Sequence, residues 1–162
     1  MDAKVTLYID YASQPCRAVV AFCLLNKIPF EVKETRILKK ENRTPEFLKI
    51  NPMGTLPAMT EGDFKLFESH AMLRYLAETK GAQAHWYPKD PKQRAMVDQY
   101  LDWHHTFLRQ GATGLVFRKI WAPKLYGKTY TQEELSFYEV YLKRSLIMME
   151  RWLTTNEFLC GP

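Results

Sequence analysis

The run Val5-Thr6-Leu7-Tyr8-Ile9, followed four residues later by Ser13-Gln14-Pro15-Cys16-Arg17, constrains this chain more than any other stretch. A β-branched, alternating run reads as a strand. A serine followed by a proline at the start of a helical run reads as a helix N-terminus. Strand, short polar turn and helix in that order point to an α/β unit. The same order sets the Ser13 hydroxyl at the helix mouth, where backbone N–H groups and the helix dipole favour an anion.

The alternation continues to about residue 82. Residues 17–26 read as helix, with apolar Val19, Val20, Phe22, Cys23 and Leu24. Pro29 ends the following turn, and Phe30–Glu34 alternates as a half-buried strand. Thr44 caps a short helix with Pro45 at its first position, running to about Ile50. Residues 56–60 lead into a strand, and Gly62-Asp63 turns tightly into a second one, Phe64–Phe67. Glu68-Ser69 opens a third helix with Ala71, Leu73, Tyr75 and Leu76 facing inward. The order βαβ-α-ββα predicts a small mixed sheet with helices on its faces, a first domain over residues 1–82.

Residues 83–90, which hold His85-Trp86-Tyr87-Pro88, read as a linker. Asp90-Pro91 caps a long helix whose core face includes Val97, Tyr100, Leu101, Trp103, Phe107 and Leu108. Gly111 and Gly114 each cost about 1 kcal/mol in a helix interior, which predicts a bend or a close contact there. Thr131-Gln132-Glu133-Glu134 is a capping box, and its helix runs through Tyr138, Val140, Leu142, Leu146, Met149 and Leu153. Residues 91–162 therefore read as all-α.

Composition excludes several classes. With 46% hydrophobic and 25% charged residues the chain is ordinary globular material rather than disordered. No stretch approaches the roughly 20 apolar residues of a membrane span, and Met1-Asp2-Ala3-Lys4 runs straight into a strand with no signal-peptide pattern, so a cytoplasmic protein is expected. Cys16, Cys23 and Cys160 do not make a disulfide framework. Cys16 and Cys23, seven apart, share a helix face and are expected to be buried. The four histidines lack metal-ligand spacing, so no metal is expected. The net charge of +5 is spread along the chain without a nucleic-acid motif. It suits an anionic small ligand.

A serine before a helix is more often a cap than a ligand contact, so Ser13 alone carries little. Two other features converge with it. Pro57 stands at the entry to a strand, where a cis peptide would aim the Leu56 backbone into a crevice. An extended peptide could pair with that backbone as an added strand. Glu68-Ser69 offers a carboxylate for an ammonium and helix N–H groups for a carboxylate. The plain alternatives are a structural cis-proline turn and helix caps. Together the features describe a tripeptide-sized groove. The first turn also has the form of a thioredoxin-type Cys-x-x-Cys with its reactive cysteine replaced by Ser13.

The motifs S-Q-P-C-R-A-V after a strand, N-P-x-x-x-x-P-A, E-G-D-F-x-L-x-E-S and the W-Y-P linker resemble a theta-class glutathione transferase from Val5 through Pro162. The resemblance implies a thioredoxin-like N-terminal domain, an all-α C-terminal domain and a homodimer. It also implies conjugation of glutathione, a co-substrate with no further cofactor, to small hydrophobic electrophiles, with peroxidase activity in some members. Carried onto this chain, Ser13 is the catalytic residue, hydrogen-bonding the glutathione sulfur. Leu56 pairs with the cysteinyl part, and Glu68 and Ser69 bind the γ-glutamyl end. Where the family commonly has His or Lys near the glycine carboxylate, this chain has Asn42 and Thr55, with Lys40 and Arg43 close by. Family members continue past Phe-Leu-x-Gly-Pro into further helices, so a C-terminally truncated chain is expected, with Trp103, Phe107, Trp121 and Trp152 partly bare. Two other functions compete: a non-catalytic glutathione-binding or dimerisation module, and a thiol–disulfide oxidoreductase using Cys16. The second is disfavoured because the attacking position holds Ser13.

Overall fold

The computed structural model describes residues 4–160; residues 1–3 and Gly161-Pro162, where the expected leaderless start and the expected truncation fall, lie outside them. The chain divides into two compact units, Met1–Tyr87 and Pro88–Pro162.

The first unit runs β1 (Val5–Ile9), α1 (Gln14–Leu25), β2 (Phe30–Glu34), α2 (Pro45–Leu48), β3 (Ala58–Glu61), β4 (Phe64–Phe67) and α3 (Ser69–Thr79). Two single 3-10 turns, Ile37–Lys39 and Glu41–Arg43, lie between β2 and α2. The strands form one mixed sheet in the order β2-β1-β3-β4. β2 is parallel to β1, and β3 and β4 are antiparallel to their neighbours. This is the mixed sheet expected from the βαβ-α-ββα order, in the thioredoxin-like arrangement that the resemblance implies.

Alternation in β1 buries Val5, Leu7 and Ile9, while Tyr8 on the other face meets Phe47 of α2 edge-on, ring centroids 6.0 Å apart. Cys16, Val19 and Cys23 of α1, Met59 of β3 and Met72 and Leu76 of α3 complete a core in which each of these side chains is fully buried. Burying one leucine or methionine of this kind contributes about 1.5–3 kcal/mol. The inward face of α3 is Ser69, Met72 and Leu76. Ala71, expected inward, is only half-buried, and Leu73 and Tyr75 flank the face. Leu76 is inward as expected, and polar Ser69 with Met72 fills the rest of the buried face, which an apolar count at the helix start does not register. At the far end of the sheet, Glu61 accepts from Tyr75 Oη at 2.7 Å and from Lys80 Nζ. Burial works to raise the Glu61 carboxyl, but these hydrogen bonds outweigh it and hold the group below the ordinary carboxylate range.

Among its described residues the second unit has helices and no strand: α4 (Pro91–Trp103), α5 (Arg109–Val116), α6 (Ala122–Tyr126) and α7 (Gln132–Leu153). Wider π-helical turns, His104–Leu108 and Phe117–Trp121, stand on either side of α5. The Thr131–Glu134 capping box forms in full, with Glu134 N–H donating to Thr131 Oγ1 and Thr131 N–H to Glu134 Oε2. Gly111 and Gly114 mark a close approach of α5 to α7. A Cβ at Gly111 would lie 2.4 Å from the Leu142 backbone nitrogen, and one at Gly114 would lie 2.2 Å from the Tyr138 ring. Phe107 is 44% exposed, and Trp103, Trp121 and Trp152 are half-buried. No described helix is long and apolar enough to cross a membrane.

Candidate functional site

Sheet register brings the groups singled out in the sequence to one edge. Tyr8 of β1 pairs with Ala58 of β3, which pairs with Phe67 of β4. Because β3 runs against both neighbours, the end of β1, the start of β3 and the end of β4 lie side by side. Ser13 follows β1 by four residues, Leu56 precedes β3 by two, and Glu68 comes directly after β4. Parallel β2 sets Glu34 beside Ile9, so the segment from Thr35 onward leaves from the same edge. A crevice outside strand ends is where sheets of this kind bind ligands.

Ser13 is the N-cap of α1, with φ −83° and ψ 122°, and is partly exposed. Its N–H donates to the Asp10 carbonyl at 2.9 Å and its carbonyl accepts from Arg17 N–H at 3.3 Å. Its hydroxyl makes no capping hydrogen bond. Thr44, Asp90 and Thr131 do cap with their side chains, accepting from Phe47, Gln93 and Glu134 N–H. The ordinary cap role is thus taken up at three helix starts and not at Ser13. Pro15 also removes one N–H from the first turn of α1, which narrows what the helix end presents to a ligand.

Asp10 went unremarked in the sequence, although an aspartate directly after a strand is a turn former. Its Oδ1 accepts from Ala12 N–H at 2.9 Å and its Oδ2 from Ile37 N–H at 2.9 Å, 27 residues away. Arg17 donates to the Tyr11 carbonyl at 2.6 Å, drawing the same turn against α1.

The Leu56–Pro57 peptide is cis, as the strand-entry proline suggested. Leu56 buries its side chain, 9% exposed, so the backbone is what this residue can present. The loop before it is held from within and without. Fully buried Asn51 accepts from Met53 N–H at 3.0 Å and donates to the Thr55 carbonyl at 2.8 Å and to Thr55 Oγ1 at 3.0 Å. Asn42 donates to the Gly54 carbonyl at 2.7 Å and Arg43 to the Met53 carbonyl at 3.1 Å. Gly54 has φ +62°, and a Cβ there would sit 2.6 Å from the Arg43 guanidinium, so glycine is required. Asn42 and Thr55 are therefore bound into the loop itself. Lys40, left-handed at φ 57°, stands exposed between the two 3-10 turns.

Glu68 caps α3 with φ 71° and ψ 109°, and its exposed carboxylate makes no capping bond. A non-glycine residue held there stores about 1–3 kcal/mol of strain, a signature of functional positions. Ser69, first residue of α3, is 5% exposed, which leaves its N–H at the helix start as its natural contact. Cys16 and Cys23 are both fully buried, and burial pushes the Cys23 thiol up to about 11.

The model of the glutathione S-transferase N-terminal domain matches residues 7–84. Glutathione S-transferase T1 of Arabidopsis thaliana is 43% identical over 161 residues, 98% of this chain and 65% of its own length. The human theta-class glutathione transferase, solved in complex with the glutathione conjugate of 1-menaphthyl sulfate, superposes with a TM-score of 0.90 at 34% identity, covering 98% of this chain and 65% of that one. A Bombyx mori glutathione transferase, 31% identical, superposes with a TM-score of 0.80 over 98% of this chain and 69% of its own. The chain thus spans 65% of the length of the Arabidopsis and human theta-class relatives.

Proposed function

This chain belongs to the glutathione S-transferase family, and within it to the theta class; from that premise we propose that it binds glutathione along the strand-end edge and holds its sulfur as a thiolate against the Ser13 hydroxyl. The observation that carries this reading is the Ser13 hydroxyl, at a helix mouth and outside the helix's own capping. A free thiol titrates near 8.5, so only a few per cent is ionised at neutral pH. One hydrogen bond donated to a charged group contributes about 1.5–3 kcal/mol. That range corresponds to roughly one to two pH units, enough to make the thiolate a major species.

The rest of the edge orients the tripeptide. The Leu56 backbone pairs with the cysteinyl part as an added strand. Glu68 accepts from the γ-glutamyl ammonium, and the Ser69 N–H donates to its α-carboxylate. With Asn42 and Thr55 bound into the loop, exposed Lys39 or Lys40 supplies the cation that meets the glycine carboxylate. The thiol proton passes to solvent, a sulfur–carbon bond forms, and the leaving group departs with the electron pair of its broken bond. The protein supplies activation and proximity and forms no covalent intermediate. With a hydroperoxide, the same thiolate would take an oxygen and release an alcohol. The resulting glutathione sulfenic acid would condense with a second glutathione to give the disulfide and water. The family's resemblance further supports a homodimer acting in the cytoplasm on small hydrophobic electrophiles.

The test is glutathione-dependent turnover of a panel of alkyl and aryl halides. Ser13→Ala is expected to lower turnover at least tenfold while glutathione binding persists. Equal turnover in the variant would remove Ser13 from the mechanism. Retention on immobilised glutathione with no turnover in either protein would instead mark a binding module.

A further inference from the structure

The thiolate-stabilising hydroxyl and the loop that pairs with the peptide lie on separate stretches of chain, 43 residues apart between Ser13 and Leu56. Hydrogen bonds join them by a route that begins at one side chain. Asp10 accepts with its backbone carbonyl from Ser13 N–H, and with Oδ1 from Ala12 N–H, so it shapes the turn that presents Ser13. Its other carboxylate oxygen accepts from Ile37 N–H, at the head of the segment after β2. That segment is braced by Glu41, whose carboxylate accepts from Arg36 N–H at 2.7 Å and from the Arg36 guanidinium at 3.1 Å. Immediately beyond, Asn42 and Arg43 hold the Gly54 and Met53 carbonyls of the Leu56 loop. The belt therefore runs from Ser13 through Asp10, Ile37, Glu41 and Asn42 to Leu56.

We infer that Asp10 is a positioning residue of this site: its two carboxylate oxygens tie the Ser13 turn to the segment that holds the Leu56 loop, so that hydroxyl and peptide-binding backbone keep one geometry. This inference rests on the reading of Ser13 as thiolate stabiliser. A carboxylate is the group required, since both of its oxygens accept and both partners are backbone donors. An asparagine at this position can satisfy only one of the two N–H groups, because its amide nitrogen would face the other. A hydroxyl turned out of line with the sulfur loses most of its hold on it, since hydrogen bonds weaken steeply once the donor angle falls below about 120°.

The experiment compares the unmodified chain with Asp10→Asn, Ser13→Ala and the double variant. Amide exchange at Ala12 and Ile37 reads the tie itself, and thiolate absorbance of bound glutathione against pH reads the site. Asp10→Asn is expected to speed exchange at Ile37 or Ala12 at least tenfold. It is also expected to lower the thiolate fraction of bound glutathione about tenfold at a pH well below the titration midpoint. Because Asp10 acts through Ser13, the double variant should titrate as Ser13→Ala alone, within a factor of two. Unchanged exchange, an unchanged titration, or losses that simply multiply would each overturn the inference. Ser13→Ala titrating as the unmodified chain would instead overturn the parent reading, while the exchange measurement still tests the tie. Should Asp10→Asn fail to fold, Ile37→Pro breaks the same bond from the donor side. Ile37 opens a 3-10 turn and follows Arg36 at φ −78° and ψ 116°, a conformation that precedes proline readily. It is expected to move the thiolate titration in the same direction as Asp10→Asn, and no movement overturns the inference.

Discussion

Replacing Glu68 by glycine is expected to separate stability from ligand binding, because the residue is strained where it is useful. At φ 71° and ψ 109° its backbone lies in a region that side chains with a Cβ avoid. Relief of that strain contributes about 1–3 kcal/mol. The added freedom of glycine in the unfolded chain costs about 0.5–1 kcal/mol. The net is a gain of about 1 kcal/mol, which in a unit of this size corresponds to a rise of roughly 4–8 °C in Tm. Loss of the carboxylate removes a charge-assisted hydrogen bond to the γ-glutamyl ammonium, about 1.5–3 kcal/mol, or roughly a 10- to 150-fold weaker Kd for glutathione. Glu68→Ala separates the two effects: it loses the carboxylate but keeps the Cβ, so binding should fall as far with little change in Tm. Thermal melts and titration calorimetry read both quantities. A Glu68→Gly protein that melts several degrees lower would refute the strain argument. Undiminished glutathione affinity in both variants would refute the receptor role.

Three further outcomes follow from the packing. Gly111→Ala should destabilise the second unit by about 1–3 kcal/mol in denaturant unfolding despite the better helix propensity of alanine. Its Cβ meets the Leu142 backbone, which has no rotamer with which to yield. Asn42→Ala should weaken glutathione binding several-fold and cost about 1–3 kcal/mol, since it strands the buried Gly54 carbonyl; unchanged affinity would mean the Leu56 loop holds its shape alone. Alkylation of the native chain at pH 8 should label Cys160, which is half-buried, well before Cys16 and Cys23, which are fully buried. With the Cys23 thiol pushed to about 11, raising the pH toward that value should quicken its labelling, whereas rapid labelling at pH 7 would contradict its burial.

The order of elements in the first unit was legible because each carries a local signal. β1 alternates, Pro45 and Pro91 open helices behind side-chain caps, and Gly62-Asp63 turns a hairpin. Ser13, Leu56 and Glu68 were legible as candidates for the same reason, each sitting at a boundary that sequence marks. What escaped was conformation without a residue signature. Glu68 takes a positive φ that glycine or asparagine would have announced and glutamate does not. The π-helical turns beside α5 leave no pattern distinct from helix, so the bend considered at Gly111 and Gly114 resolves into a helix contact. Asp10 escaped because its second partner, Ile37, is near only once β2 has paired beside β1. Asn42 invites comparison with a ligand-binding cation by position alone. Its amide is needed by Gly54, a contact visible only in three dimensions.

The central claim is that the Ser13 hydroxyl, left out of helix capping, stabilises a thiolate. Ultraviolet titration of bound glutathione in the unmodified chain and in Ser13→Ala tests it most directly. The unmodified chain should show half-ionisation about one to two pH units below the free thiol. Ser13→Ala should return it most of the way, with a change in unfolding free energy below about 0.5 kcal/mol rather than the ~1 kcal/mol of a lost cap. Identical titrations, or a Ser13→Ala protein destabilised as by a lost cap with its thiolate intact, would contradict the account.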